Sequence, residues 1–173
     1  MPTPWFGICD ACDSELLNER EQVNTLCDDC QSDRDKMGDQ FIVDSELTVD
    51  QVARMVRDLT PEQRARVVHC KRAEYDIYIG DAVPSQGYPR PSGWHNPFHC
   101  STADKNDPAK VKESVRKYTE FVLKLLRTGK LSQDALESTL GGKRLGCWCR
   151  TPGTDKLCHG LVLVAFVDYF CSP

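Results

Sequence analysis

The sequence lacks any long hydrophobic run. No stretch approaches about 18 uninterrupted apolar residues, the length that a membrane-spanning helix needs. The first residues, MPTPWFGICDAC, also lack the basic segment and apolar core of a signal peptide. We therefore expect a cytoplasmic protein with no membrane partner.

Excess charge of either sign is also small. The 173 residues include 22 Lys and Arg against 26 Asp and Glu, a net charge of −4. The net charge therefore gives no reason to expect nucleic-acid binding, but it does not exclude a local basic face. A hydrophobic fraction of 40% is ordinary for a globular chain and allows one medium domain plus a small appendage.

Several widespread catalytic motifs are missing. The chain has no G-x-x-x-x-G-K-[ST] loop, no G-x-G-x-x-G turn and no G-x-S-x-G elbow. The zinc-dependent nucleobase deaminases use H-x-E and P-C-x-x-C, and this chain lacks both, because Lys71 follows His69-Cys70 where a Glu is required. The sequence thus disfavours deamination.

Cysteine, by contrast, is abundant. Ten cysteines without a signal peptide favour reduced, metal-binding thiols over disulfides. Two C-x-x-C pairs near the N-terminus have the spacing of a four-thiolate structural zinc site, and so small a unit needs such a cross-link to fold. We predict a zinc-knuckle module over residues 1–38 with the ligands Cys9, Cys12, Cys27 and Cys30.

These pairs lie in GICDACDSELLNEREQVNTLCDDCQ, which resembles the zinc finger of the DksA/TraR family of RNA-polymerase-binding regulators. The resemblance covers residues 7–33 and implies a fold for the knuckles. The sequence leaves two alternatives. The module contacts a host protein or nucleic acid, or it only stabilises the N-terminal segment.

Hydrophobic spacing predicts several helices after a polar linker at residues 31–39. Thr48 and Gln51 have capping-box spacing and predict a helix over residues 49–58, and Thr60-Pro61 begins a second. Further helices are predicted over residues 107–129, 133–140 and 161–170, the last in preference to a central strand.

Apolar and β-branched segments predict the strands. Residues 65–80 contain RVVHC and EYDIYIG, a pair of strands or one interrupted strand, and residues 143–148 indicate a buried strand. We expect an α/β or α+β fold, a small sheet packed by helices, with an N-terminal four-cysteine zinc finger. The main domain should span residues 67–173, after a helical connector over residues 39–66.

The order of landmarks in the main domain carries a second resemblance. VVHCKR, YDIYIG, GWHNPF, a long amphipathic helix and then LGCWC and CHG follow one another between residues 67 and 170. This order resembles domain of unknown function 4326, a family of phages and bacteria, which implies a phage-type protein of the host cytoplasm. Asp81 stands where that family often has Arg, and His95 stands at the Gly of its GNPF motif.

The LGCWC and CHG segments bring thiols and imidazole together in sequence. Cys147, Cys149, Cys158 and His159 could bind a second metal ion, with His69, Cys70, His99 or Cys100 completing the set. Alternatively Cys158, at a helix start, is a nucleophilic thiolate beside a base in His159. A third hypothesis is that these cysteines only pack in the core. The candidate catalytic residues are Cys149, Cys158, His159 and Asn96.

The proline-rich loop before residue 98 offers stacking and hydrogen-bonding groups suited to a nucleotide. We predict ligand contacts from Arg72, Tyr78, Arg90, Trp94, His95 and Asn96. The leading hypothesis is a zinc protein that binds or modifies a nucleotide-type or nucleic-acid ligand. The alternative is a non-enzymatic regulator that holds a host protein or nucleic acid through its finger. A cavity lined by Asn96, Cys149 and His159 would favour the first.

Overall fold

The centre of the fold is a small parallel sheet. The computed structural model describes residues 47–88, 92–101, 103–150 and 156–171. Its strands are β1 (Val67–His69), β2 (Ile77–Tyr78) and β3 (Leu145–Cys147). The sheet order is β1-β3-β2 and both pairings are parallel, so the last strand in sequence lies between the first two.

Two short helices precede the sheet, and capping boxes begin both of them. Helix α1 spans Val49–Asp58 and helix α2 spans Pro61–Ala65. The Thr48 hydroxyl accepts from the N–H of Gln51, while the Gln51 side chain accepts from the N–H of Thr48. Thr60 and Gln63 repeat this reciprocal pair, which satisfies backbone donors that a helix start otherwise leaves unpaired.

Three more helices follow. They are α3 (Pro108–Arg127), α4 (Gln133–Leu140) and α5 (His159–Cys171), and a 3₁₀ turn at Pro84–Gln86 lies in the loop after β2. The Asp107 carboxylate caps α3, and the Ser132 hydroxyl caps α4 by accepting from the N–H of Ala135. A side-chain oxygen at the N-cap satisfies the first backbone donors of each helix.

Helix α5 is the core of the domain. All residues from Leu161 to Val167 are buried, which explains why this helix has no polar face. It packs against α1, α3 and α4, and it also contacts β1. The apolar segment after CHG is therefore the helix that its spacing favours.

This architecture, helices around a small parallel sheet, confirms the mixed α and β class expected from the sequence. Residues 65–80 do form two strands, but they are not neighbours, because β3 pairs with each of them. Helices α1 and α2 belong to the same compact unit, Ile42–Pro173, as the sheet. The boundaries at residues 38 and 66 stay predictions, and the four-cysteine finger lies outside the described residues.

No helix in the described part of the chain is both long and apolar enough to cross a membrane.

Candidate metal centre and adjoining cavity

Four potential metal ligands converge where β3 ends and α5 begins. Cys147 is the last residue of β3, Cys149 follows two residues later, and Cys158 and His159 stand at the start of α5. Their ligand atoms all lie within 4.8 Å of one another. Cys149 lies two residues beyond the end of β3, where a bend in the chain brings it beside Cys147.

The distances within this cluster suit a tetrahedral ion. Cys147 Sγ lies 3.6 Å from Cys158 Sγ and 3.9 Å from His159 Nδ1. Cys158 Sγ also lies 3.9 Å from His159 Nδ1. Two sulfurs bound tetrahedrally to one zinc at about 2.3 Å would be about 3.8 Å apart. The cluster could therefore hold a metal ion with little movement of its side chains.

A backbone carbonyl orients the imidazole of His159. His159 Nε2 lies 2.8 Å from the carbonyl oxygen of Ile79, just after β2. A carbonyl can only accept, so Nε2 carries a hydrogen, and Nδ1 is the ring nitrogen that faces the sulfurs. Metal-binding histidines commonly donate their other N–H in this way, which fixes the ring and strengthens the ligand.

Backbone amides surround two of the sulfurs. The N–H of Cys149 donates to Cys147 Sγ, and the N–H of Gly160 donates to Cys158 Sγ, both at 3.4 Å. Cys158 also lies at the positive end of the α5 dipole. These donors would stabilise the negative charge that the two sulfurs carry once a metal ion binds them.

Gly160 allows the start of α5 to approach the sheet. A Cβ at this position would lie 2.7 Å from Ile79 Cδ1 and 2.8 Å from Val67 Cγ1, closer than carbon atoms pack. The glycine of the CHG segment is thus explained by close packing between α5, β1 and the end of β2.

The pKa values within the cluster shift in opposite directions, because its thiols and its imidazole share protons through hydrogen bonds. Hydrogen bonds with Cys147 and Cys158 hold the pKa of Cys149 far below its usual range. Hydrogen bonds with Cys149 and Cys158, together with burial, raise the pKa of Cys147 well above its usual value. Burial opposes a charged His159, but the Cys158 charge and hydrogen bonds with Cys149 and Cys158 raise its pKa to about 10. A divalent cation would replace the shared protons.

Exposure divides the four ligands. Cys147 and Cys158 are 1% exposed and His159 is 4% exposed, whereas Cys149 is open to solvent. Three ligands are thus fixed by the core, and the fourth forms part of the surface. Cys70 and Cys100 are free thiols outside the cluster.

A cavity of about 580 Å³ lies against this cluster. It is bordered by the carboxyl ends of β1 and β3 and by the start of α5. Ligands of open parallel sheets commonly bind at the carboxyl ends of the strands. One wall is the cluster of three cysteines and His159, and another is the first half of α3. Its polar and aromatic lining comprises His69, Asp81, Asn96, His99, Cys100, Lys105, Asn106, Ser114, Trp148 and Lys156, with the four cluster residues.

Asn96 is held firmly in this wall. Its Nδ2 donates to Ser114 Oγ on α3 at 2.9 Å, and its Oδ1 accepts from the N–H of Phe98 at 2.9 Å. Across the mouth, His99 Nδ1 lies 3.3 Å from an Asp81 carboxylate oxygen. The GWHNPF loop therefore reaches the cavity mainly through its asparagine.

Trp148 is fixed at the cavity edge by Tyr78. The indole Nε1 donates to the Tyr78 hydroxyl at 2.6 Å, and that hydroxyl donates to the carbonyl of Asp81 at 2.6 Å. Tyr88 stacks on Tyr78 with ring centres 4.2 Å apart. Burial raises the pKa of Tyr78 to about 12, so its hydroxyl stays protonated.

The structure brings some of the residues predicted from sequence together and separates others. The four candidate catalytic residues and the four candidate ligands of a second metal all line the cavity. Of the predicted ligand contacts that lie in the described residues, only Asn96 does so. Tyr78 lies behind Trp148, Arg72 is exposed elsewhere, Trp94 packs on the core, and His95 is buried with Nδ1 2.6 Å from the Ser92 carbonyl.

Arg90 lies outside the described residues, as do Cys9, Cys12, Cys27 and Cys30.

The sequence-based prediction missed several residues of the cavity wall. Ser114 interrupts the apolar face formed by Val111, Val115 and Tyr118, and a polar residue on a buried helical face could have drawn notice. Trp148 lies inside the cysteine motif. Lys105 and Lys156 stand in irregular segments, where sequence periodicity carries no information about direction.

A family model described as a domain of unknown function, DUF4326, matches residues 60–169. The chain belongs to this family. The resemblance expected for residues 67–170 is thereby confirmed, and the DUF4326 match covers the whole sheet, the cavity and the cysteine cluster. The DksA/TraR resemblance of residues 7–33 is shown by no comparison. No curated protein and no solved structure matches the chain.

Proposed function

We propose that the DUF4326 domain of this chain binds zinc through Cys147, Cys149, Cys158 and His159 and uses the cavity beside the metal to bind a nucleotide-type ligand. One observation carries the proposal. Four metal-binding atoms lie within 4.8 Å of one another and form part of the cavity wall at the carboxyl ends of parallel strands.

Zinc suits the donor set best. Three thiolates and one imidazole in tetrahedral positions form a Cys₃His site, a usual composition for structural zinc. Hard cations such as magnesium and calcium prefer oxygen ligands, which the cluster lacks. If the N-terminal knuckles hold zinc as predicted from sequence, the full chain would carry two zinc ions.

The cavity suits a ligand of nucleotide size. Its volume of about 580 Å³ falls within the range of about 300–1,000 Å³ for small-molecule pockets. Lys105 and Lys156 supply positive charge for a phosphate, and neither forms a salt bridge with another described residue. The amides of Asn96 and Asn106 and the ring of Trp148 offer hydrogen bonds and a stacking surface for a base.

The metal would act here by positioning. A Cys₃His set fills all four tetrahedral positions, so it leaves no site for an activated water. It would instead fix the segment that carries Trp148 and the first turn of α5, which together form one side of the cavity. Ligand binding is therefore favoured over metal-assisted hydrolysis.

A second candidate function is modification of the ligand by a thiolate. It is supported by Cys149, which is exposed, lines the cavity and has a pKa held low by hydrogen bonds with Cys147 and Cys158. Iodoacetamide distinguishes the two. A zinc-bound Cys149 should react slowly until a chelator is added, whereas a free nucleophile should react rapidly in the protein as purified.

Metal content tests the zinc site. Elemental analysis of the full chain should show that Cys158→Ser and His159→Gln each remove one zinc equivalent. Cys100→Ser is the matched control, because Cys100 lines the same cavity but lies outside the cluster. An unchanged zinc content in both cluster variants would overturn the site.

Calorimetric titration tests the cavity. The four deoxynucleoside monophosphates are titrated into the zinc-loaded full chain and into a Lys105→Ala/Lys156→Ala variant. We expect at least one to bind the parent chain and to bind the double variant about tenfold or more weakly, since each lost charged contact is worth about 1.5–3 kcal/mol. Lys143→Ala, which changes a residue outside the cavity lining, should bind normally. Absence of binding by all four would overturn the ligand class.

A further inference from the structure

The small net charge of the chain conceals two segments of opposite net charge. Residues 1–46 contain 12 acidic and 3 basic side chains, whereas residues 47–173 contain 14 acidic and 19 basic ones. The unit that includes the DUF4326 domain is therefore net positive. The net charge of the whole chain therefore understates the positive charge of this unit.

Three of the positive side chains are regularly spaced along α3. Lys110, Lys117 and Lys124 are all exposed and follow one another at seven-residue intervals. Residues seven apart lie on nearly the same side of a helix, about 10 Å apart along its axis. We call these three side chains the lysine row.

The glutamates of α3 form ion pairs mainly with an arginine of the same helix and not with the lysine row. Arg116 forms ion pairs with both Glu113 and Glu120. Among the residues that the structure describes, the only carboxylate within 4 Å of a lysine-row nitrogen is that of Glu113, 3.8 Å from Lys117. The row therefore keeps most of its positive charge available to a partner.

An exposed aromatic ring stands beside the lysine row. Phe98, in the GWHNPF loop, is 39% exposed, and its ring centre lies 6.1 Å from that of Phe121 in edge-to-face contact. Phe121 follows Lys117 by four residues and precedes Lys124 by three, so it neighbours both on the helix surface. Cations and an open aromatic ring thus share one flank of α3.

The same helix leads to the cavity. Val111, Ser114 and Val115, in the first half of α3, line it, and Lys105 lines it just before the helix begins. Lys110 is next to Val111 in sequence, so the lysine row begins near the cavity mouth and runs about 20 Å away from it.

We propose that the ligand is single-stranded nucleic acid, with one nucleotide in the cavity and the following phosphates along the lysine row. This inference rests on the proposed function, since it assigns the nucleotide of the cavity to a polymer. A basic track beside aromatic rings is the usual means of binding a single strand without sequence preference. A duplex keeps its bases stacked and could not place one in the cavity without extruding it.

Fluorescence anisotropy tests the proposal with the zinc-loaded full chain and a labelled mixed-sequence strand of about 12 nucleotides. The strand should bind more tightly than any mononucleotide. A variant that combines Lys110→Ala, Lys117→Ala and Lys124→Ala should show a weaker salt dependence. The negative slope of the log association constant against log salt should become smaller in magnitude by about 2, because each lost phosphate contact contributes about 0.7. Phe98→Ala should weaken binding about tenfold.

The matched control removes three exposed or half-buried cations elsewhere, by combined Arg54→Ala, Arg57→Ala and Lys143→Ala changes, and should keep most of the slope. Mononucleotide binding should survive in the lysine-row variant, which separates this inference from the cavity itself. If a mononucleotide binds but the strand binds no more tightly, or if both triple variants lower the slope equally, the inference fails. Binding to anionic lipid vesicles is measured with the same variants. The inference also fails if the lysine-row changes weaken binding to the vesicles but leave binding to the strand unchanged.

Discussion

The Nε2 atom of His159 lies 2.8 Å from the carbonyl oxygen of Ile79, and this hydrogen bond ties the Cys/His cluster to the end of β2. Cys147 supplies the end of β3 and Cys158 supplies the residue before α5. The cluster therefore connects three separate parts of the chain at one edge of the sheet. Its occupancy should affect the stability of the whole domain, as well as the shape of one loop.

Loss of a buried ligand should cost more than loss of the exposed one. We expect Cys158→Ser to lower the zinc affinity and the unfolding free energy more than Cys149→Ser does, because Cys158 is fixed by the core while water can replace Cys149. Competition with a zinc chelator and urea unfolding measure the two effects. Equal losses in both variants would contradict this distinction.

Gly160 should tolerate no side chain. We expect Gly160→Ala to lower the unfolding free energy by about 1–3 kcal/mol, because its Cβ would overlap Ile79 and Val67. Gly93→Ala is the control, since a Cβ there meets nothing within 4 Å. Urea unfolding of both variants measures the difference, and similar values would refute the packing explanation.

The metal-free protein should show a plateau of stability in pH. The pKa of His159, raised from 6.5 to about 10, adds stability that is full below pH 6.5 and declines as the pH rises to 10. The pKa of Cys149, lowered from 9.0, adds stability that is full above pH 9.0 and declines as the pH falls. Between 6.5 and 9.0 the two slopes cancel, and outside that window stability falls.

Urea unfolding in the presence of a chelator, across pH 5 to 10.5, measures this profile. The zinc-loaded protein is the control and should not lose stability above pH 9, since metal-bound ligands have already released their protons. A metal-free profile that rises steadily above pH 9 would contradict the assigned pKa directions.

Tyr78 should affect ligand binding through Trp148. We expect Tyr78→Phe to lower the unfolding free energy by about 1–3 kcal/mol, because the Trp148 Nε1–H and the Asp81 carbonyl lose their partner. Nucleotide affinity should fall as well, since the indole then loses its fixed position. Tyr75→Phe, which loses only a 3.1 Å contact between two hydroxyls, is the control. Unchanged affinity in Tyr78→Phe would remove Trp148 from the binding surface.

Much of the helical structure could be predicted because its determinants are local. The capping pairs Thr48–Gln51 and Thr60–Gln63 lie within one turn, and the structure contains both. The order of the strands could not be predicted in this way. Strands of two or three residues contain too little alternation to define a face, and only tertiary contacts place β3 between β1 and β2.

The candidate site shows the same division. Residue type and spacing brought out Cys147, Cys149, Cys158 and His159, because few other side chains bind transition metals. The lining of the cavity was harder to predict, since an aromatic side chain in a loop can either pack on the core or line a cavity. Trp94 packs against the core, whereas Trp148 lines the cavity, and no sequence pattern distinguishes these two environments.

The cluster joins the end of β3 to the start of α5, although ten residues separate Cys147 from Cys158 in sequence. A bound ion would close that interval as a cross-link whose strength depends on the free zinc concentration. The cavity shares its wall with this cross-link. Cellular zinc supply would then determine what fraction of the protein is competent to receive its ligand.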